Sequence, residues 1–241
     1  MKLLSTAALA LAAIWASQAQ AANLLSDNFD SENGGATAIQ YTGFSKFTVV
    51  APAGSGVDLV SNTNGFGITC AGASGSCVDL DGTPGPATIQ TKSTYNFAAG
   101  DIVTLSFELS QDQRDRLANP ISAGFVFSSP TDIASTSTGG GFGATPSSPG
   151  TLSNLVVDAI VTDPTFNLYT ISFTAAASGS FIAEIGTSET GNIGALLDNV
   201  SIDLISGAPE PAAWMTMLVG FFGLGAMTRL ARRKSAFSSA I

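Results

Sequence analysis

The chain has 241 residues, 18 acidic and nine basic side chains and no histidine, for a formal charge of −9. The acidic excess argues against nucleic acid and anionic membrane as partners, because both would be repelled. Without histidine there is no Ser-His-Asp triad, no Cys-His pair and no His-ligated metal.

The first 21 residues read as a secretory signal peptide: Lys2 as a short positive region, an apolar stretch over residues 3–15, and Ala19-Gln20-Ala21 as a small-x-small cleavage site. Residues 22–211 hold all 18 acidic residues and only four basic ones, Lys46, Lys92, Arg114 and Arg116. That length suffices for one substantial domain with a core. Its composition, rich in Gly, Ser, Thr, Ala and Asp, favours strands and turns.

The clearest alternation lies in residues 101–110, where Val103, Leu105, Phe107 and Leu109 share one face and Thr104, Ser106 and Glu108 the other. Residues 166–174 repeat it with Tyr169, Ile171 and Phe173, and residues 181–185 with Phe181, Ala183 and Ile185. Further strand candidates are 44–50, 77–80, 87–91, 121–127, 152–161 and 196–205. Many short strands broken by turn residues predict an all-β fold, an antiparallel sandwich or jelly roll. Residues 135–150, dense in Gly, Ser, Thr and Pro, read as a flexible loop. No Lys-Ser/Thr pair follows these glycines, so they make no phosphate cradle.

Cys70 and Cys77 are the only cysteines, in a Gly/Ser-rich stretch. In an exported chain they read as a disulfide closing a small loop. Two free thiols are the rival, and a zinc site would need further ligands.

Near the C-terminus the order is Pro209-Glu210-Pro211-Ala212-Ala213-Trp214, an uncharged run to Thr228, then Arg229, Arg232, Arg233 and Lys234. The prolines hold Glu210 in an extended segment. As a helix the apolar run reaches about 25 Å, just short of a ~30 Å hydrocarbon core. Leu230 and Ala231 extend it when Arg229 snorkels. The cations act as a cytoplasmic stop by the positive-inside rule, and Trp214 suits the headgroup level. The expected organisation is signal peptide 1–21, β-sandwich ectodomain 22–206, sorting segment 207–234 and tail 235–241. Within the sorting segment lie the motif 209–214, a membrane helix 212–230 and a basic stop 229–234.

This tail resembles the PEP-CTERM family of sorting signals, in the variant with Trp three positions after the second Pro; the matching residues are Pro209, Glu210, Pro211 and Trp214, the apolar run and the Arg-rich end. The resemblance covers about the last thirty residues. It implies a membrane-embedded exosortase as processing partner, in a Gram-negative bacterium that makes an extracellular polysaccharide matrix. The chain would be anchored in the inner membrane, N-terminus outside and C-terminus cytoplasmic, and then pass to the surface or matrix.

The body resembles the galactose-binding-like jelly rolls of carbohydrate-binding modules and exported surface proteins. The matching phrases are Asp27-Asn28-Phe29-Asp30, Val78-Asp79-Leu80-Asp81-Gly82, Leu105-Ser106-Phe107 followed by Gln113-Arg114, and Asp198-Asn199-Val200. That resemblance implies a structural calcium held by an early acid and a final-strand acid, here Asp30 and Asp198. Parity along residues 196–205 also places Asp198 with Leu196, Val200, Ile202 and Leu204, a costly position for an unpaired carboxylate. Capping by backbone N–H groups is the other solution.

Asp79, Asp81, Glu108 and Asp112 are available to a two-carboxylate glycosidase, but no spacing singles out a pair. Both tryptophans lie in the targeting segments, so sugar stacking would fall to Tyr41, Tyr95, Tyr169 or a Phe. Arg114 or Arg116 with Asp112 is a candidate hydroxyl-binding set. The expectation is a non-enzymatic matrix or envelope protein, with a lectin-like module as the alternative and a glycoside-active enzyme as a more distant one.

Overall fold

The computed structural model describes residues 21–62, 66–142, 150–189, 191–207, 217, 218 and 220–222. Its strands are β1 (Ala21–Asp27), β2 (Phe47–Val50), β3 (Asp58–Ser61), β4 (Ser76–Asp79), β5 (Thr88–Thr91), β6 (Tyr95–Phe97), β7 (Ile102–Ser110), β8 (Asn119–Gly139), β9 (Gly150–Val161), β10 (Asn167–Ala175), β11 (Gly179–Thr187) and β12 (Leu196–Ile205). Their pairings are antiparallel, in the order β2-β5-β11-β8-β10-β7-β12-β4-β3. β1 joins β12, β6 joins β11 and β9 joins β8.

β8 turns the corner of this sheet. Its first part lies between β11 and β9. After an irregularity between Val126 and Thr131 it continues against β10. The sheet therefore curls into two layers, as sandwiches do when one strand switches layer at a bulge. One layer holds β2, β5, β11, β9 and the start of β8; the other holds β10, β7, β12, β4 and β3, with β1 on the second edge of β12.

The inward faces of β7, β10 and β11 are those their alternation predicts. Phe125, Phe173 and Phe181 meet between the layers, with ring centroids 5.0 Å (Phe125–Phe173) and 5.1 Å (Phe125–Phe181) apart in edge-on contact. Each buried Phe contributes on the order of 1.5–3 kcal/mol of transfer free energy. β12 has the predicted extent; the other predicted strands are found with shifted ends. β1, β3 and β6 were not predicted, because short runs such as Asp58-Leu59-Val60-Ser61 carry no readable alternation.

The loop expected over residues 135–150 is corrected over its first part. β8 runs on to Gly139, pairing Thr136 with Phe173 and Thr138 with Ile171. Gly150 already belongs to β9. Thr is a good strand former once a partner strand lies alongside, and that partner is β10, some thirty residues away.

Residues Ala21–Gly207 form one compact unit. Its first and last strands end together, Ala21 opposite Ile205. Beyond it, Met217, Leu218, Gly220, Phe221 and Phe222 are helical. Among the described residues no helix is long and apolar enough to cross a membrane. The leader up to Gln20, the motif residues Pro209, Glu210, Pro211 and Trp214, and the cations Arg229, Arg232, Arg233 and Lys234 lie outside the described residues.

Candidate functional site

The acid-rich end of the body gathers around the start of β12, about 30 Å of strand, at ~3.3 Å per residue, from the Ile205 end where the tail begins. Two side-chain clusters lie there.

The first is built on the loop closed by Cys70 and Cys77. These are disulfide-bonded, with Cα atoms 5.5 Å apart. Both are buried with Val60, Ile68 and Leu196 in a small core of their own. Asp198 faces this loop, a correction to the simple parity of residues 196–205. The register of β12 on β7 shifts between Asp198 and Ser201, and Asn199 takes a left-handed φ of 49°. This bulge puts Leu197 on the main-core side together with Val200, Ile202 and Leu204. Asp198 is left opposite Glu108, on the other face.

Asp198 is almost fully buried, and backbone N–H groups cap it. Oδ1 accepts from Asn199 N at 2.7 Å and Oδ2 from Ala71 N at 3.1 Å. Burial pushes its pKa up to about 7, the two N–H groups pull it down, and the charges of Asp30 and Glu108 raise it further. Asp30 serves the other side of the loop: Oδ1 accepts from Ser76 N at 2.8 Å and Oδ2 from Asn28 Nδ2 at 2.7 Å. The structure thus brings Asp30 and Asp198 to one loop, each with N–H donors on both oxygens. Among the described residues no three His, Cys, Asp or Glu side chains group to hold a metal ion. In this structure both acids are capped by N–H donors, the second solution expected for Asp198.

The second cluster is built on Val78-Asp79-Leu80-Asp81, all four buried. Asp79 Oδ2 is paired with Arg114 Nη2 at 3.0 Å, and Oδ1 accepts from Gly194 N at 2.9 Å and Asp81 N at 3.1 Å. Burial pushes the Asp79 pKa up to about 7 against the pull of Arg114 and these N–H groups. Asp112 caps its own turn, accepting from Arg114 N at 2.8 Å and Asp115 N at 2.7 Å. Asp58, directly opposite Asp79 in the β3–β4 register, accepts from Gln40 N at 2.8 Å, Thr83 N at 3.2 Å and Thr83 Oγ1 at 3.1 Å.

Asp81 differs from all of these. It is fully buried, yet neither carboxylate oxygen has a hydrogen-bond partner. Burial pushes its pKa up to about 6, Glu189 and Asp58 add to the rise, and the nearby Ile193 N–H lowers it without reaching hydrogen-bond geometry.

The acids singled out for glycosidase chemistry are therefore divided. Asp79 and Asp112 are buried beside Arg114, Asp81 is buried apart from it, and Glu108 accepts from Asn199 Nδ2 at 2.7 Å on the other cluster. Tyr41 packs on Phe44, Tyr95 on Phe181, and Tyr169 between Phe107 and Phe142, so these rings serve the core. Sequence reasoning missed Asp58 and Glu189, whose nearness to Asp81 comes from strand pairing and loop closure. It also missed Glu32, buried and accepting from Ser45 N at 2.8 Å.

No family model and no curated protein matches the chain. Several solved structures share its outline. One is the CBM22-1–GH10 portion of the Clostridium thermocellum endo-1,4-beta-D-xylanase 10B, complexed with xylohexaose, at 10% identity and TM-score 0.44, covering 75% of this chain and 28% of that one. Another is the CBM22-1 xylan-binding domain of Paenibacillus barcinonensis Xyn10C, at 14% identity and TM-score 0.41, covering 80% of this chain and 100% of that one. A third is the K1 cleaved adhesin domain of Lys-gingipain from Porphyromonas gingivalis, at 13% identity and TM-score 0.43, covering 76% and 97%. The chain spans little more than a quarter of the xylanase structure's length. At this level of similarity the neighbours lend the chain neither ligand nor activity.

Proposed function

We propose that this chain is an exported, non-catalytic matrix or envelope protein, routed to the surface of a Gram-negative cell as an exosortase substrate. The carrying observation is the ordered tail: Pro209-Glu210-Pro211 with Trp214, the apolar run, then Arg229, Arg232, Arg233 and Lys234. The body is consistent with that role. It carries a disulfide, a bond that persists in oxidising compartments, across the Cys70–Cys77 loop, and its terminal strands end side by side.

A second reading is glycan binding. It is favoured by the partly exposed Arg114 guanidinium beside Asp112 and the Asn192 carbonyl, a donor–acceptor set suited to sugar hydroxyls. The packed tyrosines weigh against aromatic stacking, so it stands behind the matrix role.

The test is expression of the full chain with and without an exosortase. The expected result is a shorter, surface-located form only with the enzyme, lost when Pro209, Glu210 and Pro211 are replaced by Ala. Unchanged size and location in that variant overturn the reading.

A further inference from the structure

We propose that β9 pairs antiparallel with β9 of a second copy of this chain, about a twofold axis at Val156. β9 is the outer strand of its layer. It pairs with β8 on one edge, and among the described residues no strand takes the other. An open edge presents a row of unpaired N–H and C=O groups, and folds usually guard it by shortness, bulges, charge or cover. Three other edge strands are guarded in these ways. β2 is four residues long and follows Lys46. β3 is four residues long and is bridged by Ala38, which exchanges two backbone hydrogen bonds of 2.9 Å with Leu59. β1 carries an irregularity between Asn23 and Leu25. β9 has none of these devices. It is 12 residues long, without proline or lysine, and its register on β8 is unbroken from Asn154 to Val161.

The sequence of the strand selects a second copy as its partner. Its one charge is Asp158, exposed like Asn154, while Ile160 is an apolar side chain 60% exposed. Antiparallel pairing about Val156 sets Asp158 opposite Asn154 of the other copy, a carboxylate facing an amide donor. It sets Ile160 opposite the partly exposed Leu152, and Leu155 opposite Val157. Shifting the axis to Leu155 would put Asp158 against Leu152 and Ile160 against Gly150. Shifting it to Val157 would put Asp158 against Val156 and Ile160 against Asn154. Centring it on Asp158 would oppose two like charges, which destabilises a cross-strand pair. Only the Val156 axis matches polar with polar and apolar with apolar while using nearly the whole strand. Such a contact is isologous and closes on itself, so it yields a dimer and not a fibre. The two layers become one continuous sheet, and the pairing does not depend on how the chain is routed.

The experiment uses variants with one added cysteine in the detergent-solubilised full chain, whose own Cys70 and Cys77 are already joined. Each is oxidised with a copper catalyst and run on a non-reducing gel. Val156→Cys is expected to give a reducible dimer, since directly opposite Cβ atoms lie about 4.5–5.5 Å apart. Asp158→Cys is expected to give at least severalfold less, because its two copies stand four residues apart along the strands, about 14 Å. An equimolar mixture of Asn154→Cys and Asp158→Cys is expected to give the mixed dimer. No dimer from Val156→Cys overturns the proposal, as does an equal yield from Asp158→Cys alone. Should Val156→Cys fail to fold, the mixture decides, because both its positions are exposed: a mixed dimer supports the pairing, and its absence rejects it.

Discussion

Arg114 is where a single side chain decides the state of its surroundings. Its guanidinium meets Asp79 at 3.0 Å while its Nε lies 3.8 Å from Asp112. Asp79 is almost fully buried, so removing its partner leaves a charge with only backbone N–H groups to stabilise it. Arg114→Ala is expected to cost about 2–3 kcal/mol in urea unfolding, below the ~3–5 kcal/mol of a fully enclosed pair because the Arg side chain retains some exposure. Adding Asp79→Asn should recover part of the loss; a double variant no better than the single would mean Arg114 acts through packing alone. The acids of Val78-Asp79-Leu80-Asp81 were legible in the sequence. That one receives an arginine and the other does not was illegible, because Arg114 lies 35 positions from Asp79.

At the scale of the element, β12 shows how one residue redirects a strand. Its length and apolar character were readable from residues 196–205. The facing of Asp198 was not, since alternation assumes an unbroken period of two. The bulge at Asn199 breaks it by admitting a left-handed residue opposite β7. Asn tolerates that conformation and a β-branched residue does not. Asn199→Val is expected to destabilise the chain by about 1–2 kcal/mol in urea unfolding. Asn199→Gly is expected to stay within about 0.5 kcal/mol of the parent, its backbone freedom offsetting the lost exposed contact to Glu108. Equal effects of the two substitutions would remove the bulge as the cause. β8 teaches the same lesson: Ser- and Thr-rich sequence looked like loop until β10 supplied its partner.

For the whole molecule, the acidic excess has a consequence for stability. Burial raises Asp198 to about 7 and Asp81 to about 6, and the charges facing them, Asp30 and Glu108 on one, Glu189 and Asp58 on the other, push the same way. In the unfolded chain these groups titrate near 4. Between those values the native state holds protons that the unfolded state has released, so unfolding free energy falls as pH rises from about 4 to 7. The Tm at pH 5 is expected to exceed that at pH 8; a flat or rising profile would show that these carboxylates are better solvated than their burial implies.

By itself the sequence determined the all-β class, the inward faces of β7, β10 and β11, and the pairing of Cys70 with Cys77. These follow from period-two alternation and from two cysteines with only each other to join, both local properties. The tertiary structure alone decided that Asp58 stands opposite Asp79, that Asp198 turns to the disulfide loop, and that residues 191–194 close over Asp81. Register, bulges and the burial of charge depend on which distant strand lies alongside, and no short-range pattern records that choice.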